Sequence, residues 1–274
     1  QRQDTPPQRQ RKSNHNQPYP YLRTTSLWYH VKKVVQQFPA LRLEILPRLR
    51  QRKREVTIMF PIGDDDVRGA PPPIVTWVLI GLNVLVFLYQ ITLPRSALES
   101  FMNTYGVIPA RVLDGEQLFS LISSMFLHGG WFHILSNMVF LIVFGDNVEA
   151  ILGKLLYPLF YLAAGVAASA AHILLSPTST VPSLGASGAL AGVLGAYVVM
   201  FPRSRVRALV LLGFYITITR VSAVIFLGIW FVTQLFNGVA SLGVNTAESG
   251  GVAYWAHIGG FVFGLIIGFI LRSQ

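Results

Sequence analysis

Long apolar stretches dominate the chain after Pro73, and short segments rich in polar and charged residues separate them. Six stretches carry no acidic or basic residue and have about 20 residues each, the length that an α-helix needs to cross a hydrocarbon core of about 30 Å. They are Ile74–Leu93, Met125–Phe144, Leu155–Ser176, Val181–Phe201, Val221–Leu242 and Val252–Leu271. The pattern predicts an all-α polytopic membrane protein with six transmembrane helices and with both termini on one side.

The composition agrees with this class, because 52% of the 274 residues are hydrophobic, 12% are charged and the mean hydropathy is +0.51. Ordinary soluble domains are more polar than this. The formal net charge of +10 could indicate nucleic acid or an anionic membrane surface, but all of it lies in residues 1–58. We therefore predict a lipid bilayer and no nucleic acid as partner, with the membrane domain at residues 59–274.

Residues 1–58 form a basic N-terminal extension rich in Gln, Arg and Pro, without a methionine. A disordered arm that lies against anionic lipid headgroups is one interpretation of this composition. A start site assigned too far upstream is the other, and the sequence leaves both open. The chain has no cysteine, which excludes disulfides and thiol chemistry.

Basic residues after residue 58 predict the orientation, because Lys and Arg are retained on the cytoplasmic side of membranes. With both termini inside, the cytoplasmic segments hold Arg68, Lys154, Arg203, Arg205, Arg207, Arg220 and Arg272, against Arg95 and Arg111 outside. The same topology predicts that the apolar connection from Arg203 to Arg220 lies along the cytoplasmic interface. The first external loop, Pro94–Ser124, is expected to be partly embedded in the membrane.

Polar side chains inside predicted spans are costly and usually face the interior of the bundle, so each is a candidate for function. Ser187 lies near the start of the fourth span between Gly185 and Gly188, where the helix dipole favours a developing negative charge. His257 lies near the outer end of the sixth span. Taken singly, Ser187 also fits a small-residue packing face, and His257 a hydrogen-bonded interior histidine.

The topology connects these two residues, because the fourth and sixth spans run in the same direction and hold Ser187 and His257 at a matched depth of roughly 6 to 8 Å. Glycines that recur along one face of each span predict close helix contact; they are Gly188, Gly192 and Gly195, and Gly260, Gly264 and Gly268. We therefore predict a nucleophile and a general base. No Asp or Glu lies in any predicted span, so we predict a dyad of Ser187 and His257 rather than a triad with a carboxylate. Another contact must then orient the histidine.

His133 and Asn137 are four residues apart on the second span and therefore share a face. An imidazole and an amide on one face can hydrogen-bond an oxyanion, usually the largest single stabilisation in acyl transfer. A polar contact between helices is the alternative explanation for this pair. His128 precedes two glycines at the mouth of the span, and we expect it to brace the loop rather than to react.

Three separated motifs resemble those of the rhomboid intramembrane serine proteases, and the resemblance covers nearly all of residues 59–271. The sequence FLHGGWFHILSNM at Phe126–Met138 resembles the second-span signature, GASG at Gly185–Gly188 the nucleophile motif, and AHIGG at Ala256–Gly260 the base motif. A lone GxSG is a weak signal. All three motifs in this order, inside predicted spans, are highly specific.

The resemblance implies a six-helix rhomboid fold in which Ser187 attacks the scissile carbonyl and His257 acts as general base and then as acid. It implies that His133, Asn137 and the backbone N–H of Ser187 line the oxyanion hole, and that the structural residues near the site are His128, Gly185, Gly188 and Gly260. Substrates would be single-span membrane proteins cut near the outer membrane face, without a metal or cofactor. The protein would be a multi-pass protein of the bacterial plasma membrane.

The resemblance also implies that the fifth span, with Trp230 and Phe231, acts as a lateral gate. Two positions depart from the family pattern. Phe119-Ser120 stands in the first loop where members often have Trp-Arg. Ala191 replaces a tyrosine that some members carry four residues after the nucleophile, so a stacking partner for His257 is expected to be missing.

Three other functions remain as alternatives. A catalytically inactive rhomboid-like protein would bind transmembrane clients without cutting them, although loss of the serine or histidine would be expected there. A metalloprotease built on His128, His133, His172 and His257 would lack the HExxH pairing of two ligands with a glutamate base. A transporter would have discontinuous helices and polar groups at the bilayer midplane, whereas the candidates here cluster near one face.

Overall fold

The computed structural model describes residues 57–65, 67, 70–212, 215–242 and 252–272. The predicted basic extension, residues 1–58, lies outside these ranges apart from Thr57 and Ile58, which begin the first strand. The strands are β1 (Thr57–Gly63), β2 (Arg205–Leu212) and β3 (Tyr215–Ser222). The helices are α1 (Ile74–Gln90), α2 (Arg95–Tyr105), α3 (Pro109–Leu113), α4 (Ser120–Ser123), α5 (Trp131–Leu175), α6 (Ser187–Met200), α7 (Ala223–Ser241) and α8 (Tyr254–Arg272), with a 3₁₀ turn at Ser124–Phe126.

Of the helices that the structure describes, three are long and apolar enough to cross a membrane, namely α5, α7 and α8. α1 and α6 are also apolar but shorter, with 17 and 14 residues. Large apolar side chains such as Leu155 and Phe236 point outward from these helices. Such a surface suits hydrocarbon and would be unusual on a protein surrounded by water.

A carboxylate from a distant part of the chain holds the N-terminus of α1. Pro73 precedes the helix and provides no side-chain cap. Glu149, on α5, instead accepts hydrogen bonds from the Val75 backbone N–H at 2.9 Å and from the backbone N–H and hydroxyl of Thr76 at 2.7 Å. A buried anion at the positive end of the helix dipole therefore fixes α1 against α5.

The predicted second and third spans form one continuous run of 45 residues, α5, which bends at Gly153. Gly153 has a φ of 72° and a ψ of 173°, so two helices meet there at a residue that carries no β-carbon. The first of them begins at Trp131 rather than at the predicted Met125. The residues before it form the 3₁₀ turn and a short loop that begins at Leu127 in extended conformation.

The predicted fourth span, Val181–Phe201, is helical only from Ser187, because its first residues form a loop. Ser183 in this loop exchanges a pair of backbone hydrogen bonds with Val107, at 2.8 and 2.9 Å. Pro182 has no N–H to donate to a preceding turn. The backbone N–H and carbonyl of Ser183 are therefore paired with the segment Pro94–Ser124 instead of within a helix.

A three-stranded antiparallel sheet, in the order β1-β2-β3, corrects the all-α prediction. β2 and β3 pair from Arg205↔Ser222 to Leu212↔Tyr215, within the connection that was predicted only as an apolar segment along the interface. β3 holds two Ile, two Thr and one Val, and β2 holds two Val; these β-branched residues favour this conformation. β1, from a different part of the chain, completes the sheet with a register shift between Pro61 and Gly63.

A buried aspartate links the sheet to the helices. Asp64 directly follows β1 and accepts hydrogen bonds from the Asn147 amide on α5, at 2.8 Å, and from the Tyr197 hydroxyl on α6. The Tyr197 hydroxyl also lies 2.8 Å from Ser204 Oγ. Buried polar groups are stable only when they are paired, so this network fixes the position of β1 against α5 and α6.

α6 and α8 contact each other through main-chain atoms along a line of glycines. A β-carbon added at Gly264 would collide with the carbonyl oxygen of Gly192, and one at Gly260 with that of Gly188. We call these contacts the glycine seam, which comprises Gly188, Gly192 and Gly195 on α6 and Gly260 and Gly264 on α8. The absence of side chains lets the two backbones approach more closely than ordinary helices do.

Candidate active site

Ser187 is the first residue of α6, where backbone N–H groups have no partner inside the helix and the helix dipole is positive. The turn before it depends on Gly185, whose φ of 123° is rarely adopted by residues with a β-carbon. The Gly185 N–H donates to the Ser124 carbonyl at 2.9 Å. This turn places Ser187 at the wall of a cavity.

His257 lies in the first turn of α8 and meets Ser187. His257 Nε2 and Ser187 Oγ are 2.8 Å apart. A hydroxyl and an imidazole at this distance form a hydrogen bond along which a proton can be transferred. The glycine seam begins beside this pair, so the close contact of α6 and α8 sets the distance between nucleophile and base.

The second ring nitrogen of His257 bonds to a residue that no sequence motif indicated. His257 Nδ1 lies 2.8 Å from Gln234 Oε1, on α7. The ring of Trp230, one turn earlier on α7, packs against the imidazole with its centroid 6.0 Å away. Gln234 is an uncharged polar residue inside a predicted span, the same signal that marked Asn137, and it could have been found on that ground.

His133 lies on the other side of the nucleophile, in the first turn of α5. Its Nδ1 accepts a hydrogen bond from the Gly129 backbone N–H at 3.3 Å, which leaves the ring proton of the neutral form on Nε2. A β-carbon built on Gly185 would lie 2.7 Å from His133 Nε2 and 3.6 Å from Ser187 Oγ. The Nε2–H group can therefore donate to an oxygen atom beside Ser187.

Asn137, one turn further along α5, is buried and bonded to His128. Asn137 Nδ2 lies 3.0 Å from His128 Nε2, and the amide group has a second N–H to donate. The side chain of Gln90 holds the main chain of His128, because its Oε1 accepts from the His128 N–H at 3.0 Å and its Nε2 donates to the carbonyl at 3.2 Å. Gln90 thus fixes His128, and His128 fixes Asn137; no motif indicated Gln90.

Aromatic contacts lie near both positions that depart from the family motifs. Ala191 is buried in α6 and offers no ring to His257, and Trp230 covers the imidazole instead. In the segment Pro94–Ser124, Phe119 packs edge-on against Tyr105 with ring centroids 5.9 Å apart. Phe119 thus makes an aromatic contact within the segment Pro94–Ser124, at a position where the family often has Trp-Arg.

A cavity of about 900 Å³ brings these side chains to one place. Its polar wall includes Ser187, His257, His133, Asn137 and Gln234, and its apolar wall includes Phe132, Phe140 and Trp230. This volume is at the upper end of the range for ligand sites and accommodates a peptide segment together with water. The arrangement suits acyl transfer with a serine nucleophile.

In the described part of the chain, no three His, Cys, Asp or Glu side chains lie close enough together to hold a metal ion. The rings of His128 and His133 pack edge to face with centroids 5.1 Å apart, and these two and His257 each have a hydrogen-bond partner of their own. His128 contacts Asn137, His133 accepts from Gly129, and His257 contacts the nucleophile. These separate contacts count against the metalloprotease alternative.

A family model for the rhomboid domain matches residues 115–274, more than half of the chain. The chain belongs to the rhomboid family. The matched rhomboid domain includes every candidate site residue predicted from the sequence, while β1, α1, α2 and α3 precede it. The resemblance that the three motifs indicated is thereby confirmed.

Rhomboid relatives occur in plants, yeast and bacteria. RHOMBOID-like protein 4 of Arabidopsis thaliana is 31% identical over 166 residues, which are 61% of this chain and 37% of that protein. Rhomboid protein 1, mitochondrial, of Saccharomyces cerevisiae is 29% identical over 211 residues, 74% of this chain and 54% of the relative. The rhomboid protease GluP of Bacillus subtilis is 32% identical over 153 residues, 56% of this chain and 28% of the relative.

The chain spans about half or less of the length of several rhomboid relatives that it matches. Relatives with mitochondrial names occur among them. Membership of the rhomboid family therefore places the chain in a membrane, and it does not single out the bacterial plasma membrane that the motifs led us to expect.

Proposed function

We propose that this chain is an intramembrane serine endopeptidase that cleaves single-span membrane proteins near the outer membrane face. The observation that carries the proposal is the 2.8 Å contact between Ser187 Oγ and His257 Nε2 at the wall of a large cavity among apolar helices. The rhomboid family typically consists of serine proteases of this kind, and the Bacillus relative GluP is named a protease. An inactive client-binding protein would not need this geometry.

The reaction begins when Ser187 Oγ attacks the carbonyl carbon of the scissile peptide bond. His257 Nε2 accepts the hydroxyl proton as the new C–O bond forms. Collapse of the tetrahedral intermediate breaks the C–N bond, and His257 gives its proton to the leaving amine. Water then attacks the acyl ester, loses a proton to His257 and releases the new carboxyl end, while Ser187 regains its hydroxyl proton.

Three donors face the position where the negative charge develops. They are the backbone N–H of Ser187 at the start of α6, the Nε2–H of His133 and an amide N–H of Asn137. Donors that are already in place cost no reorganisation during the reaction, and in a site shielded from bulk water they stabilise the charge strongly. The contact of Asn137 with His128 holds one of these donors in position.

The topology that fits this reaction has six crossings, formed by α1, the two helices of α5 on either side of Gly153, α6, α7 and α8. The loop before Ser187 and the short helices α2 and α3 then lie on the side of the active site. With both termini on the cytoplasmic side, the β2–β3 hairpin and its arginines lie at the inner face, where positive charge is retained.

Cleavage of a single-span membrane protein in liposomes tests the proposal. The wild type should cut the substrate and should be labelled by a fluorophosphonate probe, whereas a folded Ser187→Ala variant should do neither. Ser241→Ala is a matched control, because the Ser241 hydroxyl bonds the Gly238 carbonyl at the end of α7 and does not line the cavity. A folded wild type that neither cuts nor is labelled would identify a client-binding protein instead.

Replacing Asn137 with alanine should lower kcat on the order of 10²- to 10³-fold with little change in KM, as loss of one oxyanion donor does in other acyl-transfer enzymes. The measurement is steady-state cleavage in mixed micelles, with a thermal melt of each variant. A fall in activity that only follows a fall in melting temperature would assign Asn137 to folding.

A further inference from the structure

A row of hydrogen bonds connects α7 to His257, at the ring nitrogen that faces away from Ser187. Gln234 Oε1 lies 2.8 Å from His257 Nδ1, and His257 Nε2 lies 2.8 Å from Ser187 Oγ. Both ring nitrogens of the base are therefore engaged, one by the nucleophile and the other by a neutral amide from a different helix.

The contacts of Thr233 determine which end of the Gln234 side-chain amide faces His257. The Thr233 hydroxyl donates to the Trp230 carbonyl at 2.6 Å, so its oxygen is left to accept. Gln234 Nε2 donates to that oxygen over a long 3.4 Å. The amide nitrogen is thus directed to Thr233, and the amide oxygen faces His257 and can only accept there.

An acceptor at Nδ1 determines where the single proton of a neutral imidazole lies. If Nδ1–H donates to Gln234 Oε1, then Nε2 carries a free lone pair and can accept the proton of the Ser187 hydroxyl. The opposite tautomer would place a proton on Nε2, point it at the nucleophile and leave the base unable to act. In serine proteases with a triad, a carboxylate makes this selection.

We propose that Gln234 is a positioning residue of the protease, whose amide oxygen holds His257 in the Nδ1–H tautomer with Nε2 directed at Ser187. This inference rests on the proposed function, and it supplies the contact that a dyad without a carboxylate requires. A neutral amide also avoids burying an unpaired charge among apolar helices, which would be expensive. The fifth predicted span therefore contributes to the active site and not only to its boundary.

The test compares Gln234→Leu and Gln234→Glu with the wild type in steady-state cleavage at several pH values. Gln234→Leu should lower kcat about 10- to 100-fold with KM nearly unchanged, because the active tautomer is no longer selected. Gln234→Glu should retain substantial activity, since a carboxylate also accepts from Nδ1–H. The acidic limb of its pH–rate profile should move to higher pH, because the carboxylate stabilises the imidazolium.

Asn237→Leu is the matched control, since Asn237 lies one turn further along α7 and, among the described residues, neither lines the cavity nor hydrogen-bonds Ser187 or His257. It should leave both kcat and the pH profile as in the wild type. Ser187→Ala, measured beside these variants, tests the protease activity itself. If Ser187→Ala abolishes cleavage while Gln234→Leu cuts at the wild-type rate, the role of Gln234 is overturned and the protease proposal stands.

Nitrogen-15 spectra of the histidine side chains in micelles give a readout that does not depend on turnover. The His257 signals, identified by their loss in His257→Ala, should show a protonated Nδ1 and an unprotonated Nε2 in the wild type. In Gln234→Leu they should shift toward a mixture of tautomers. An unchanged Nδ1–H signal in the folded Gln234→Leu variant would overturn the inference.

Discussion

Replacing His257 with alanine should reduce kcat on the order of 10⁴- to 10⁶-fold, as removal of the base does in other serine proteases. Without an acceptor 2.8 Å from Ser187 Oγ, the hydroxyl proton has no route away during attack and none back to the leaving amine. The measurement is single-turnover cleavage of a single-span substrate in liposomes, with folding of the variant checked by thermal melt.

The double variant Ser187→Ala/His257→Ala provides the control for this prediction. Two residues that act as one unit lose their function together, so the double variant should be no slower than the worse of the single variants. If the rate of the double variant were reduced by the product of the two single reductions, Ser187 and His257 would contribute separately. Such a result would contradict the dyad even if each single variant were slow.

Replacing Gly264 with valine should cause the largest loss of stability, because the glycine seam has no room for a side chain. The atoms that even a β-carbon would meet at Gly264 are the carbonyl oxygen, carbonyl carbon and Cα of Gly192, and main-chain atoms cannot rotate away. Overpacking of this kind costs about 1–3 kcal/mol or more. Unfolding titrated with a denaturing detergent should show this loss, and cleavage should fall as well.

Gly228→Ala is the matched control, because Gly228 also lies within a helix, α7, and a β-carbon there would have no neighbour within 4 Å. Alanine favours helix by about 1 kcal/mol over glycine, so this variant should be neutral or slightly more stable. If both variants lost stability equally, the effect would belong to glycine in helices generally. The seam would then have no special role.

The helices were predicted well wherever the apolar run and the helix coincide. α1 begins at the predicted Ile74, and α7 and α8 end within two residues of the predicted boundaries. In these elements all but two or three residues of the apolar run are helical. Hydrophobicity and length alone were therefore sufficient to place them.

The fourth span and the sheet could not be predicted in the same way, because partners distant in the sequence determine them. The loop before Ser187 is apolar enough to resemble helix, but its backbone pairs with Val107. The hairpin after α6 depends on β1, which begins at the edge of a segment assigned to the basic extension. An apolar run alone does not distinguish a strand from a helix.

The residues of the candidate site that belong to a sequence motif could be predicted. The positions of Ser187 and His257 followed from two motifs and from matched depth, and the structure brings the two side chains together. Gln90 and Gln234 were missed because each acts on another residue of the site and belongs to no motif. An uncharged amide inside an apolar span was the available signal, and its partner could be found only in three dimensions.

The glycine seam should keep the distance between Ser187 and His257 independent of the thickness of the surrounding bilayer. Bilayers thinner or thicker than the apolar length of a helix are accommodated by tilting or local deformation, at a modest cost per ångström. α6 and α8 touch through main-chain atoms, so they can tilt only as a pair. We therefore expect the distance between Ser187 and His257 to stay the same in membranes of different lipid composition, while helices held only by side chains adapt.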